Sequence, residues 1–295
     1  MKKALIFGGT QFVGKRLVKM LLDEGIEVTI GTRGIRSDDF GDRVQRIILD
    51  REDRRSVQSA LGDMEWDVVF DNTCYSAQEA EDAAELLKNR VKKYILISSS
   101  AVYDFGEHLA EDDFDPYSFP IVLKTRREYP GFTGYQEAKR TAEAILYQKN
   151  YFPVVAARFP YIVGEDDYTE RFAFHVEHVK NGKPIAVRNP DARLGFVYSG
   201  DAARFLLDAA KGEYNGPLNP LSSGDISLGE LISRIGNRVG REPVVVPDAK
   251  SGADRSPYDL GKSLALSAQK AQSLGFTFME FSSLVDQLIT DHKPT

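Results

Sequence analysis

The stretch MKKALIFGGTQFVGKRLVKMLLDEGIEVTIGTRG, Met1–Gly34, decides the fold. The apolar run Ala4–Phe7 reads as a strand that Gly8 and Gly9 break. Residues at helical spacing then run from Val13 to Asp23, and Gly25 stops that helix before a second strand at Val28–Ile30. Strand, tight turn, helix and parallel strand make a right-handed unit. The turn needs glycine because the backbone must bend sharply and approach a ligand with no Cβ in the way. The helix behind it aims its first amides and the positive end of its dipole at the same point, so the turn suits an anion such as a pyrophosphate.

Working outward, the rhythm continues through Val44–Leu49, Val68–Phe70, a helix near Gln78–Lys88, Tyr94–Ser98, a helix around Tyr135, and Val154–Arg158. Strand and helix in regular turn predict an α/β fold, a doubly wound parallel sheet of the Rossmann type. After Gly164 the pattern changes to helices near Arg171–Lys180, Asp201–Lys211 and Leu228–Val239. The expected division is a dinucleotide-binding domain over residues 1–165, rejoined by about 196–220, with 166–195 and 221–295 forming a smaller interleaved C-terminal substrate lobe. Between Tyr103 and Gly134 no period is visible, and the stretch reads equally as a substrate lid or a solvated acidic loop.

A chain of 295 residues can bury a large core. With 42% hydrophobic and 28% charged residues it reads as an ordinary globular protein. No stretch approaches the roughly 20 apolar residues of a membrane span, and the run after Lys2 and Lys3 is too short for a signal-peptide core. One cysteine, Cys74, precludes an intrachain disulfide, so the expectation is a cytoplasmic protein with no membrane partner. A net charge of -6 offers no general attraction to nucleic acid, which leaves a small molecule as the expected partner.

Tyr135 and Lys139 stand four apart in GYQEAKRTAEAIL, so on a helix they share a face and the ammonium can approach the phenol. A cation in that place favours phenolate and lets a tyrosine exchange a proton with a hydroxyl or carbonyl. Alone, such a pair is commonly a surface pair; its order among other segments gives it weight. In sequence come Gly8-x-x-Gln11-x-x-Gly14, ISSSAVY, the Tyr135 pair, ARFPYIVG and FVYSGDAA around Asp201. Together these resemble the extended short-chain dehydrogenases/reductases, specifically the NAD-dependent epimerase/dehydratase group, over nearly the whole chain.

The resemblance implies that Ser99, four residues before Tyr103, bonds the reacting oxygen, that Tyr135 is the general acid/base, and that Lys139 supports it while holding the nicotinamide ribose. It places Gly8, Thr10, Gln11, Phe12, Val13 and Gly14 at the pyrophosphate, Asp50 and Arg51 at the adenine, Asn72 and Thr73 at the ribose, and Pro160 beside the cofactor. Tyr75, Tyr103, Tyr161, Arg171 and Arg193 are the candidates for lining a substrate pocket. VTIGTRG, at the end of the second strand, carries no acid for ribose hydroxyls and offers Arg33 to a 2'-phosphate, so NADP is favoured, with NAD the alternative. Read plainly, Arg33 is an exposed loop arginine.

The departures are informative too. Gln11 replaces the middle glycine, and its side chain either crowds the dinucleotide or points away. The GGTxFxG variant also resembles the chloroplast stem-loop-binding proteins and their bacterial relatives, where RNA binding enters. Ser100 and Ala101 stand where the family's dehydratases carry an acid pair, which argues against dehydration. Leu194 and Gly195 stand where its nucleotide-sugar epimerases carry Arg-Asp. His175 and His178 read as a surface pair without a third metal ligand, so no metal is expected. Cys74 reads as a small buried residue and Trp66 as core. The family resemblance implies a homodimer through the helices near Gln78–Lys88 and Gly134–Gln148. Two other functions stay open: RNA binding on the same scaffold, and cofactor sensing without turnover.

Overall fold

The computed structural model describes residues 1–248 and 252–291; the expected lobe's residues 249–251 and 292–295 lie outside the described residues. The strands are β1 (Lys3–Phe7), β2 (Glu27–Thr32), β3 (Val44–Ile48), β4 (Trp66–Asp71), β5 (Val91–Ser99), β6 (Gly106–Leu109), β7 (Val154–Phe159), β8 (Tyr161–Val163), β9 (Pro184–Ala186), β10 (Arg193–Leu194), β11 (Phe196–Tyr198), β12 (Gly216–Leu218), β13 (Ile226–Ser227), β14 (Val244–Val246) and β15 (Leu264–Leu266). The helices are α1 (Phe12–Asp23), α2 (Arg54–Leu61), α3 (Ala77–Leu87), α4 (Gly131–Lys149), α5 (Arg171–Asn181), α6 (Ser199–Lys211), α7 (Leu228–Val239), α8 (Gln269–Ser273) and α9 (Phe281–Asp291). They divide into two units. Residues 1–102, 111–159 and 202–219 form the first, and 103–110, 160–201 and the described residues from 220 onward the second; the sequence reading had put 103–110, 160–165 and 196–201 with the first.

The first unit is a seven-stranded parallel sheet in the order β12-β7-β5-β4-β1-β2-β3, a Rossmann-type topology. Its inner strands are covered on both faces, which is why they read as apolar runs rather than alternating ones. Leu5, Phe7, Val69, Tyr94 and Leu96 pack there against Ala80, Ala84, Ala142, Ile145 and Leu146 of α3 and α4. The strand order reverses between β1 and β4, where Phe7 lies opposite Asp71. In such sheets ligands bind beyond the carboxyl ends of the strands at that reversal.

The stretch after Tyr103 is irregular for most of its length and exposes Asp112, Asp113, Tyr117, Ser118, Ile121, Val122 and Leu123, yet it is tied down at several points. Gly106–Leu109 forms β6 and pairs with β15 in the second unit. In the first unit, residues 111–124 are strapped along α4. Gln148 donates to the carbonyls of Pro116 (3.0 Å) and Phe119 (2.9 Å), Tyr117 packs on Tyr147 at 5.0 Å, Lys124 pairs with Glu137, and the Gln78 amide donates to Lys124 O at 3.1 Å. Beneath it, fully buried Arg158 of β7 pairs with fully buried Glu143 of α4 at 2.8 Å and donates to the carbonyls of Glu111 and Phe114. A buried ion pair needs this completeness, because desolvating two charges costs several kcal/mol per ion, of order.

The second unit holds a four-stranded sheet in the order β13-β10-β15-β6 and the parallel pairs β8–β11 and β9–β14. Phe172, Phe196, Leu231, Ile232, Tyr258, Phe281 and Leu284 belong to its core. No helix among the described residues is long and apolar enough to cross a membrane.

Candidate active site

The glycine turn is built as its residue types require. Gly8 and Gly9 have φ of 97° and 98°, the left-handed region that a side chain disfavours. A Cβ on Gly14 would stand 2.9 Å from Gly9 Cα and 2.7 Å from the Asn72 amide nitrogen. Gln11, by contrast, caps α1 with extended backbone (φ -142°, ψ 156°) that any residue adopts, and no side chain caps the helix. The missing glycine therefore causes no backbone strain.

Asn72 follows β4, and its amide bonds to Phe7 O at 3.1 Å. Both polar atoms of its side chain are buried without a hydrogen-bond partner. An orphaned carboxamide costs about 1–3 kcal/mol unless something bonds it. Set against an uncapped helix start and a glycine cradle, it fits the turn to an anionic, hydroxyl-bearing ligand such as a dinucleotide. The turn after β4 is fixed from below by Asp71, whose carboxylate accepts from Arg51 (2.8 Å), the Tyr94 hydroxyl and the Thr73 amide (3.0 Å). Burial and that carboxylate push the Tyr94 phenol far above its ordinary range, so it remains a donor.

Tyr135 and Lys139 lie on α4, as the spacing requires. Lys139 is 2% exposed. Its ammonium donates to Cys74 O (2.8 Å) and Ile97 O (3.0 Å), tying α4 to the ends of β4 and β5, and stands 5.8 Å from the centre of the Tyr135 ring and 4.8 Å from that of Tyr75. Burial alone would pull its pKa down, but interactions with Tyr135, Tyr75, Cys74 and Asp71 outweigh burial and hold it above the usual lysine value. Ser99 ends β5, and its hydroxyl accepts from the Ala101 amide at 3.1 Å. Ser100 and Ala101 behind it are buried.

Other candidates have partners of their own, and one expectation needs correcting, the surface placement of His175. Arg51 is buried, bonded to Asp71 and Glu79 O, with its guanidinium 4.2 Å over the Phe7 ring. Tyr103 is fully buried. Arg193 is taken up by Asp225 (2.9 Å) and Glu230 (3.7 Å). His175 is buried rather than on the surface, its Nε2 2.8 Å from the Ser256 hydroxyl, and no group of metal ligands occurs among the described residues. Tyr103, Pro160, Tyr161, Arg171 and Arg193 all belong to the second unit; Ser99, Tyr135, Lys139, the glycine turn, Asn72, Thr73 and Tyr75 belong to the first. There Tyr161 packs on Tyr258 at 4.6 Å beside Arg171, and burial pushes its hydroxyl up to about 12. Arg33 is exposed, and Asp50 accepts the Glu52 amide at 3.0 Å.

Sequence reading missed the brace around Tyr75. Glu79 is buried, accepts the Tyr75 amide at 2.8 Å and pairs with Arg126, which also donates to Thr73 O at 2.8 Å. Ser76 accepting from the Glu79 amide at 3.3 Å is a helix cap that S-x-x-E spells out. Arg126 lies in the aperiodic stretch and had no such signal.

The sequence profile of the NAD dependent epimerase/dehydratase family matches residues 4–219. A chloroplast stem-loop binding protein of 41 kDa from Arabidopsis thaliana is 34% identical over 211 residues, 65% of this chain and 50% of that protein, so the match spans about half the length of that relative. Among solved structures, the Thermus thermophilus UDP-glucose 4-epimerase complexed with NAD is 19% identical with a TM-score of 0.72, covering 98% of both chains. The Bacillus cereus UDP-glucuronic acid 4-epimerase, complexed with UDP-glucuronic acid and NAD, is 20% identical with a TM-score of 0.72, covering 97% and 96%. At these identities the likeness is one of fold.

Proposed function

Since the chain belongs to the NAD dependent epimerase/dehydratase family, we propose that it is an NAD(P)-dependent epimerase or oxidoreductase acting on a hydroxyl/carbonyl centre of a sugar-like or nucleotide-sugar-like molecule. The observation that carries this reading is the buried Lys139 ammonium beside the Tyr135 ring, oriented by two backbone carbonyls. Tyr135 takes and returns the proton of the reacting hydroxyl, Lys139 supplies the adjacent positive charge, and Ser99, whose oxygen already accepts from Ala101, donates to the reacting oxygen. When bound, the dinucleotide supplies the redox chemistry. Gly8, Gly14, the first amides of α1, Asn72 and Thr73 would hold it. Ser100 and Ala101 offer no acid pair for water elimination, which favours epimerisation or oxidoreduction over dehydration.

NADP is the preferred cofactor in this reading. The carboxylates that follow β2, Asp38 and Asp39, are held by Arg46 (2.6 Å) and Lys15 (3.0 Å), and Arg33 is exposed close to the strand end. Purified protein is expected to bind NADPH and to turn over members of a UDP-sugar and carbonyl panel. Tyr135→Phe should lower kcat by about 10²–10⁴ with cofactor affinity retained; unchanged turnover would defeat the mechanism. A second reading, binding of structured RNA, is favoured by the name of the Arabidopsis relative. RNA affinity falling steeply with salt, with no turnover on the panel, would select it.

A further inference from the structure

We propose that Tyr75 is a positioning residue, its ring face, braced by Glu79 and Arg126, keeping the Lys139 ammonium beside Tyr135. Two N–H groups of Lys139 go to Cys74 O (2.8 Å) and Ile97 O (3.0 Å). These bonds set the height of the ammonium above the sheet. Its lateral position is set by the ring of Tyr75, whose centre is 4.8 Å away, closer than that of Tyr135 at 5.8 Å. A cation over an aromatic face in a largely desolvated place is held electrostatically by the ring quadrupole.

The ring is itself held. The Tyr75 amide donates to Glu79 Oε2 at 2.8 Å, and buried Glu79 also binds Arg126, whose guanidinium carbon lies 5.0 Å from the Tyr75 ring centre. Arg126 is anchored a second time by Thr73 O at 2.8 Å. Tyr75 thus contacts two cations, and swinging it away costs both contacts.

The consequence for catalysis rests on the function proposed above, but the test does not. In the ligand-free 295-residue chain, trace acetylation of lysines at pH 8, read residue by residue by mass spectrometry, reports how much of each amine is neutral and reachable. Tyr75→Leu removes the ring face at similar bulk, and Tyr75→Phe keeps it. Tyr75→Leu is expected to raise Lys139 acetylation about three- to tenfold, with Lys183 as the internal reference, while Tyr75→Phe stays within about twofold of wild type. Tyr75 is 41% exposed, so neither change opens a core cavity; if Tyr75→Leu fails to fold, Tyr75→Met carries the same expectation. Unchanged labelling in the ring-free variant, or an equal rise in Tyr75→Phe, would overturn the role of Tyr75 and leave the proposed function standing. Retained turnover in Tyr135→Phe would do the reverse.

Discussion

At the scale of single residues, the candidate site separates groups whose chemistry is local from groups whose role depends on their neighbours. Tyr135 with Lys139 was legible because a helix puts i and i+4 on one face wherever the helix lies. Arg51 was not, since the same side chain can serve a ligand or a buried carboxylate, and only the fold brings Asp71 within 2.8 Å. In the proposed reading, cofactor choice turns on Arg33. Arg33→Ala is expected to weaken NADPH binding about tenfold with NADH affinity little changed, as measured by fluorescence titration. Cys74 lies against the site without being reactive. Burial, with Asp71 nearby, pushes its thiol up to about 12, so the folded chain should resist thiol reagents at pH 8 and react only after denaturation.

Among the elements, the helices and inner strands declared themselves by period, and α7 runs from Leu228 to Val239 as the apolar spacing required. The short α2, Arg54–Leu61, was missed, although Asp53 caps it by accepting the Arg55 amide at 2.9 Å. The strap over α4 was illegible for a different reason. Its order comes from carbonyls of Pro116 and Phe119 meeting Gln148, and such bonds leave no periodic trace. Gln148→Ala should therefore speed proteolytic cleavage between residues 116 and 124, followed by mass spectrometry of the fragments. Beneath the strap, Glu143→Gln would leave the Arg158 charge uncompensated. A loss of about 3–5 kcal/mol is expected in urea denaturation, and the double change to Glu143→Leu with Arg158→Met should cost less than the single one.

For the molecule as a whole, acid stability is tied to His175 in the second unit. Burial lowers its pKa from 6.5 to about 4, so the unfolded chain takes up a proton before the folded one does. Its contribution is fully present above pH 6.5, is lost as pH falls from 6.5 to 4, and levels off below. The loss is about 3 kcal/mol, to be checked as a drop in urea midpoint between pH 7 and 4.5 that His175→Gln flattens. Carboxylates with lowered pKa, such as Asp67 bonded to Lys92, act at lower pH still. The amino-acid sequence by itself determined the parallel α/β scaffold, the glycine turn after the first strand and the Tyr135–Lys139 face, because each follows from spacing along the chain and from where glycine alone is tolerated. Tertiary structure alone decided which charged groups are spent on structure, the Arg51–Asp71 and Arg158–Glu143 pairs, and which surround Lys139. Those assignments depend on desolvation and on partners dozens of residues away in the chain, and neither is encoded in a local pattern.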